Sequence, residues 1–197
     1  MLKTTRAHSD IRRSLGTGAG VLLLILALLP GCTRRIEVHP RPDQSTNNLI
    51  PRSLQVTVGE LSIQGADHMP GITLLEWPTR DLSRATIDYI RQRGTFSSVS
   101  DGPADLVMKL TARLSMASRG PYIYRLHLHA AVGTAAALVK SYEAERSATG
   151  SSVRWVTASD RDPIEAALQS ALQDLLTTIE SDRSLYLVKE PARTSKP

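Results

Sequence analysis

The sequence predicts an α+β domain: an antiparallel sheet of about four strands with two helices packed on one face, in the order β-α-β-β-β-α. Three observations carry this expectation. Two runs, Leu106 to Met116 and Tyr122 to Val132, alternate apolar and polar side chains around the turn Ser118-Arg-Gly-Pro121, as half-buried strands of a hairpin do. Farther on, Ile164, Ala167, Leu168, Ala171, Leu172, Leu175 and Ile179 fall on one stripe, the spacing of an amphipathic helix. A shorter stretch, Asp81 to Arg93, sets Leu82, Ala85, Tyr89 and Ile90 on one face and stops at Gly94, a residue suited to a left-handed C-cap.

Taken in order, the first strand is Leu54, Val56 and Val58 with Leu61 and Ile63 beyond, and Gly59 reads as a bulge or turn. The first helix starts at Asp81 or Thr79 as a cap. In the hairpin, Lys109, Thr111, Arg113 and Ser115 on one strand and Arg125, His127 and His129 on the other take the polar face. A further strand spans about Leu138 to Ala148, after Gly133. The last helix opens with Asp162 as N-cap, Pro163 at the first helical position and Glu165 two residues on, and ends near Ser181.

The chain has 197 residues, 41% of them apolar, enough for one domain with a core. Its formal charge of +5 is concentrated at the ends. Residues 1–31 hold Lys3, Arg6, Arg12 and Arg13 against Asp10, so without them four basic and one acidic residue go and the net charge is +2. That balance excludes the broad basic footprint of a nucleic-acid-binding domain.

Arg12 and Arg13 precede the apolar run Val21 to Leu29, and Pro30, Gly31 and Cys32 follow, the order of a signal peptide. Nine apolar residues make a helix of about 14 Å, short of the roughly 20 residues that span a bilayer. Leu29-Pro30-Gly31-Cys32 resembles the lipobox of bacterial lipoproteins, with Pro30 where that family more often has a small or aliphatic residue. The resemblance implies cleavage between Gly31 and Cys32, a diacylglyceryl group on the Cys32 thiol and an acyl group (palmitate) on the new amino terminus. Thr33 rather than Asp after the cysteine implies the outer membrane, with the domain facing the periplasm. Cys32 is the chain's only cysteine, so no disulfide framework is available, and several acyl chains give stable anchoring. The expected organisation is a signal peptide over 1–31, a flexible tether over 32–51, one domain over 52–189 and a tail over 190–197.

Candidate chemistry is sparse. His127 and His129 point to the same side of one strand, but a metal site needs further ligands such as His68 or a carboxylate, so they read as solvated histidines and neither metal nor cofactor is expected. Ser62 and Ser83 lack the turn of a nucleophile. Asp160, Asp162 and Glu165 read as loop and cap residues rather than paired acids. Gly16, Gly18 and Gly20 lie in the signal peptide, out of context for a phosphate loop. Trp77 and Trp155 fall in loops and are candidates for partner contact.

The element order, with Gly94-Thr-Phe96-Ser-Ser-Val99 followed by Ala104-Asp105-Leu106, resembles that of periplasmic accessory lipoproteins. These are the auxiliary lipoproteins of ABC-type lipid transport systems, the lipopolysaccharide-assembly lipoprotein and the activators of penicillin-binding proteins. The resemblance is one of pattern over the domain, and no functional residue is carried over; Thr33 to Val38 lacks the aromatic start of the lipopolysaccharide-assembly family. It implies a non-enzymatic accessory or docking subunit of an envelope transport or assembly system, with sheet edges or the loops of Trp77 and Trp155 as contacts. Two alternatives stand beside it: a lipid or lipopolysaccharide carrier admitting an acyl chain between sheet and helices, with Arg113 and Arg125 at the head groups, and an envelope hydrolase.

Overall fold

The computed structural model describes residues 33–47, 49–65, 74–118, 122–150 and 160–187. The elements are β1 (Thr33–Arg35), β2 (Ile50–Gly65), β3 (Leu74–Glu76), α1 (Thr79–Arg93), β4 (Phe96–Ser100), β5 (Leu106–Ser118), β6 (Tyr122–Gly133), β7 (Leu138–Gly150), α2 (Arg161–Ser181) and α3 (Ser184–Leu187). Five strands form the main sheet in the order β4-β2-β5-β6-β7, and β1 pairs with β3 in a small parallel ribbon.

The α+β class and the two-helix layer agree with the sequence, but the sheet is mixed and has five strands. β2 lies parallel to both β4 and β5, and only β5-β6-β7 is antiparallel. The cause is α1, which leaves the end of β2 and returns the chain beside its start, where the Ile50 amide donates to the Thr95 carbonyl at 2.9 Å. A strand that returns through a helix runs parallel. β4 escapes a period-two search because its buried residues, Phe96 and Val99, are three apart.

Gly59 is a bulge: the β2–β5 register shifts between Val58 and Glu60. The extra residue changes parity, so Leu61 and Ile63 join the face that carries Leu54 and Val56 and pack against the core. On β5 and β6, Leu106, Met108, Leu110, Leu114, Leu126 and Leu128 are buried completely. Against them lie Leu168, Leu172 and Leu175 of α2 and Leu82 and Ile90 of α1, also fully buried. No helix among the described residues packs on the opposite sheet face, and Lys109, Arg113, Arg125, Glu143 and Glu145 on it are exposed.

The helix starts differ from the sequence expectation. α1 runs from Thr79 after Pro78 without a side-chain cap, and Asp81, one turn in, accepts from Arg35 Nε at 3.1 Å and Nη2 at 2.5 Å. α2 has Asp160 at its N-cap, so Asp162 and Pro163 sit inside the first turn. Pro163 is tolerated there because early amides lack intrahelical partners. Gly94 ends α1 as predicted, at φ 77°, its amide donating to the Ile90 carbonyl at 3.1 Å. A Cβ there would meet the Thr46 carbonyl oxygen at 2.2 Å, so glycine is required for close approach as well.

That contact exposes the largest departure. Residues 33–47, expected in the tether, are packed on the domain. Ile36 and Val38 are 3% and 2% exposed, and Pro40 is buried with them while Glu37, His39 and Arg41 point outward. The Ile36 amide donates to the Glu76 carbonyl near the start of α1, the His39 amide to Glu165 of α2 at 2.9 Å, and the Thr46 amide to the Arg93 carbonyl at the end of α1. The segment is a strap along the seam between the helices, held because three alternate apolar side chains have a groove to fill.

At the far end, α3 turns Tyr186 into the core beside Tyr142 of β7, their hydroxyls 2.6 Å apart. Burial and the Tyr186 hydroxyl push the Tyr142 phenol far above its ordinary pKa, so it stays neutral. Tyr186→Phe is expected to cost about 1–3 kcal/mol, because the buried Tyr142 hydroxyl loses that partner. Urea unfolding of the two proteins checks it, and an unchanged midpoint would show that the pair contributes nothing.

Candidate functional site

Three places hold polar chemistry. The first is internal. Arg93, 5% exposed at its side chain, meets Glu180 through Nε at 2.7 Å and Nη2 at 2.8 Å. Gln173 Oε1 accepts from Arg93 Nη1 at 2.5 Å and from the Tyr89 hydroxyl at 3.0 Å, and Thr95 donates to Glu180 at 2.6 Å. For Glu180 burial acts to raise the pKa, but the hydrogen bonds from Arg93 and Thr95 outweigh it and hold the carboxylate below its ordinary value. Every named group is satisfied by another, which describes a clamp between α1 and α2 rather than a centre awaiting substrate. Nothing local in the sequence marks it, since a basic residue in the last turn of an amphipathic helix is ordinary.

The second is a cleft of about 590 Å³ between strap, α1 and α2, lined among others by His39, Arg41, Asp88, Gln92, Arg161 and Glu165. Its carboxylates already have partners: Glu165 takes the His39 amide and lies 3.5 Å from Arg161, and Asp88 is 3.0 Å from Arg91. It is polar and open, unlike the apolar slot an acyl chain needs.

The third is the uncovered sheet face with the outer edge of β7. His127 and His129 lie half-buried on this face, in register with Glu145 and Glu143, and His127 Nε2 is 3.8 Å from Glu143. Arg125 is 3.4 Å from Glu145. Among the described residues no three of His, Cys, Asp and Glu are grouped to hold a metal. β7 ends the sheet, and nothing among the described residues pairs with its outer edge. Its thirteen residues are long for an edge strand, and Leu138 and Val139 at its start are 63% and 40% exposed.

The predicted site residues disperse. Trp77 is 3% exposed, so its ring belongs to the core and is no contact surface. Trp155, Cys32, Gly31 and His68 lie outside the described residues. Asp160 accepts the Tyr124 hydroxyl and Glu165 holds the strap, so these acids act structurally and not as a pair. Arg113 and Arg125 stand on the face away from the helices, not at the sheet–helix interface where an acyl chain would sit. Ser62 pairs in register with Arg113, and Ser83 is half-buried on α1.

No described helix is long and apolar enough to cross a membrane. No family model matches the chain, and no curated protein matches it in sequence. Among solved structures, protein XCC0632 from Xanthomonas campestris, of the family DUF330, is similar over 77% of this chain and 98% of its own, with 15% identity and a TM-score of 0.51. Protein CT253 from Chlamydia trachomatis is similar over 70% of this chain and 98% of its own, with 10% identity and a TM-score of 0.44. The first of these shows a shared fold.

Proposed function

We propose that the chain is a lipid-anchored protein of the bacterial envelope, acylated at Cys32 in the outer membrane and facing the periplasm, that acts without catalysis as an accessory or docking subunit of a transport or assembly system. The observation that carries the reading is the outer edge of β7: a long row of backbone donors and acceptors, begun by exposed Leu138 and Val139, beside a sheet face that no described helix covers. Such an edge accepts a partner strand through main-chain hydrogen bonds, with side chains of alternate positions supplying selectivity. The signal peptide and lipobox support the address. The buried cluster of Arg93, Glu180, Gln173 and Thr95 is engaged in holding the helices together, which supports a binding role over a hydrolytic one.

The test is affinity capture from detergent-solubilised envelopes through a tag after Pro197, comparing the native chain with Cys32→Ala and with Leu138→Asp/Val139→Asp. Transporter or assembly-machine subunits recovered with the native chain and lost from both variants are the expected result. Equal recovery with the β7 variant would remove the edge from the proposal, and recovery of bound lipid alone would favour a carrier. Both β7 side chains are largely exposed, so that variant is expected to unfold within about 0.5 kcal/mol of the parent.

A further inference from the structure

Resting on the acylation of Cys32, the geometry points to a contact that the tether expectation hides: we propose that one end of the domain lies directly against the bilayer that holds its anchor. A free coil over the nineteen residues 33–51 would give a root-mean-square reach of about 24 Å. The strap removes that reach. Thr33 is already paired with Leu74 in β1–β3, and the Cα of Cys32 is one peptide, about 3.8 Å, from that of Thr33.

The topology says which end this is. α1 begins three residues after β3 and finishes beside the start of β2, where Ile50 meets Thr95. The strap sets the first turn of α1 beside that of α2, with the Ile36 amide on Glu76 and the His39 amide on Glu165, and β1 lies there too, its Arg35 holding Asp81. At that same end β5 and β7 finish, β6 begins, and α2 starts, tied to β6 by Tyr124 and Asp160. Here apolar side chains reach the surface: Ile63, Met116 and Tyr122 are only partly buried, and Ile123 on the other face is 40% exposed. Exposed Arg80 and Arg84 on the first turns of α1 stand at this end too, where anionic headgroups attract cations. An end that carries partly exposed apolar side chains and two arginines, with an acyl anchor one peptide from β1, matches the boundary between acyl chains and headgroups.

The occupant is thus the lipid surface, and a partner must meet the domain at that membrane and not across the periplasm. The test uses the full acylated chain in protein-free phospholipid vesicles containing a nickel-chelating lipid. Spin labels are placed at Ile123→Cys and, in a separate protein, at Leu138→Cys, which stands about 33 Å farther along the strands at 3.3 Å per residue. Relaxation enhancement several-fold stronger at position 123 than at 138 is the expected result. Equal enhancement, or the stronger effect at 138, overturns the proposal. Mass spectrometry of the N-terminal peptide keeps the two failures apart: an unacylated Cys32 refutes the lipid anchor, whereas an acylated chain with equal enhancement refutes the apposition alone.

Discussion

Glu180→Ala is expected to lower the unfolding free energy by about 3–5 kcal/mol, the cost of leaving a buried charge without its partner. Arg93 is 5% and Glu180 11% exposed at the side chain, so water does not replace the lost carboxylate. Thr95 and two guanidinium nitrogens lose their acceptor together. The pair joins the end of α1 to α2, so the loss is felt across the seam. Glu180→Gln keeps an acceptor and is expected to cost less. The pH dependence has a definite sign. Because the folded carboxylate sits below the ordinary glutamate value of 4.5, its contribution is complete above that value and is lost as the pH falls through the depressed folded pKa. Urea unfolding at neutral pH and again below pH 4 reads both effects: parent and Glu180→Ala should converge on acidification, and a constant gap would mean that the charge contributes nothing.

Legibility in the sequence followed the length and regularity of the signal. The β5–β6 hairpin was readable because eleven residues on each strand keep one parity and both bury one face. Gly94 was readable because a left-handed C-cap has a residue signature. β4 was not, since a five-residue strand with buried positions three apart has no period to find. Nor was the parallel placement of β2: strand order is set by where α1 returns, which is a tertiary fact. Trp77 shows the limit for sites. Its position before Pro78 marks a loop, and nothing local says that the loop folds inward. The clamp of Arg93 with Glu180 and Gln173 joins residues eighty or more apart, beyond any spacing rule. The strap carries a faint signal, since Ile36, Val38 and Pro40 alternate with Glu37, His39 and Arg41; an alternation that short is masked by the prolines and charge around it.

The second large effect is expected from that strap. Ile36→Ala combined with Val38→Ala removes the two side chains, 3% and 2% exposed, that seat it between α1 and α2. A buried isoleucine truncated to alanine costs about 2–5 kcal/mol, and valine adds to it. The loss has two places to appear. If the strap unfolds only with the rest of the domain, the midpoint of urea unfolding falls by the whole amount. If the strap opens by itself, the global midpoint moves little and the local opening energy falls instead. Native-state digestion with a glutamate-specific protease separates the two, because Glu37 lies exposed within the strap and the bond after it is cut only when the chain around it lifts away. In the parent, cleavage there should be slow, since the His39 amide, Asp43 and Thr46 are fastened to Glu165, Gln169 and Arg93. In the double variant it should be faster by orders of magnitude: each 1.4 kcal/mol of lost opening energy is about tenfold in the open population. Rapid cleavage after Glu37 in the parent would return residues 33–47 to the role of tether and with it the freedom of the domain to leave the membrane.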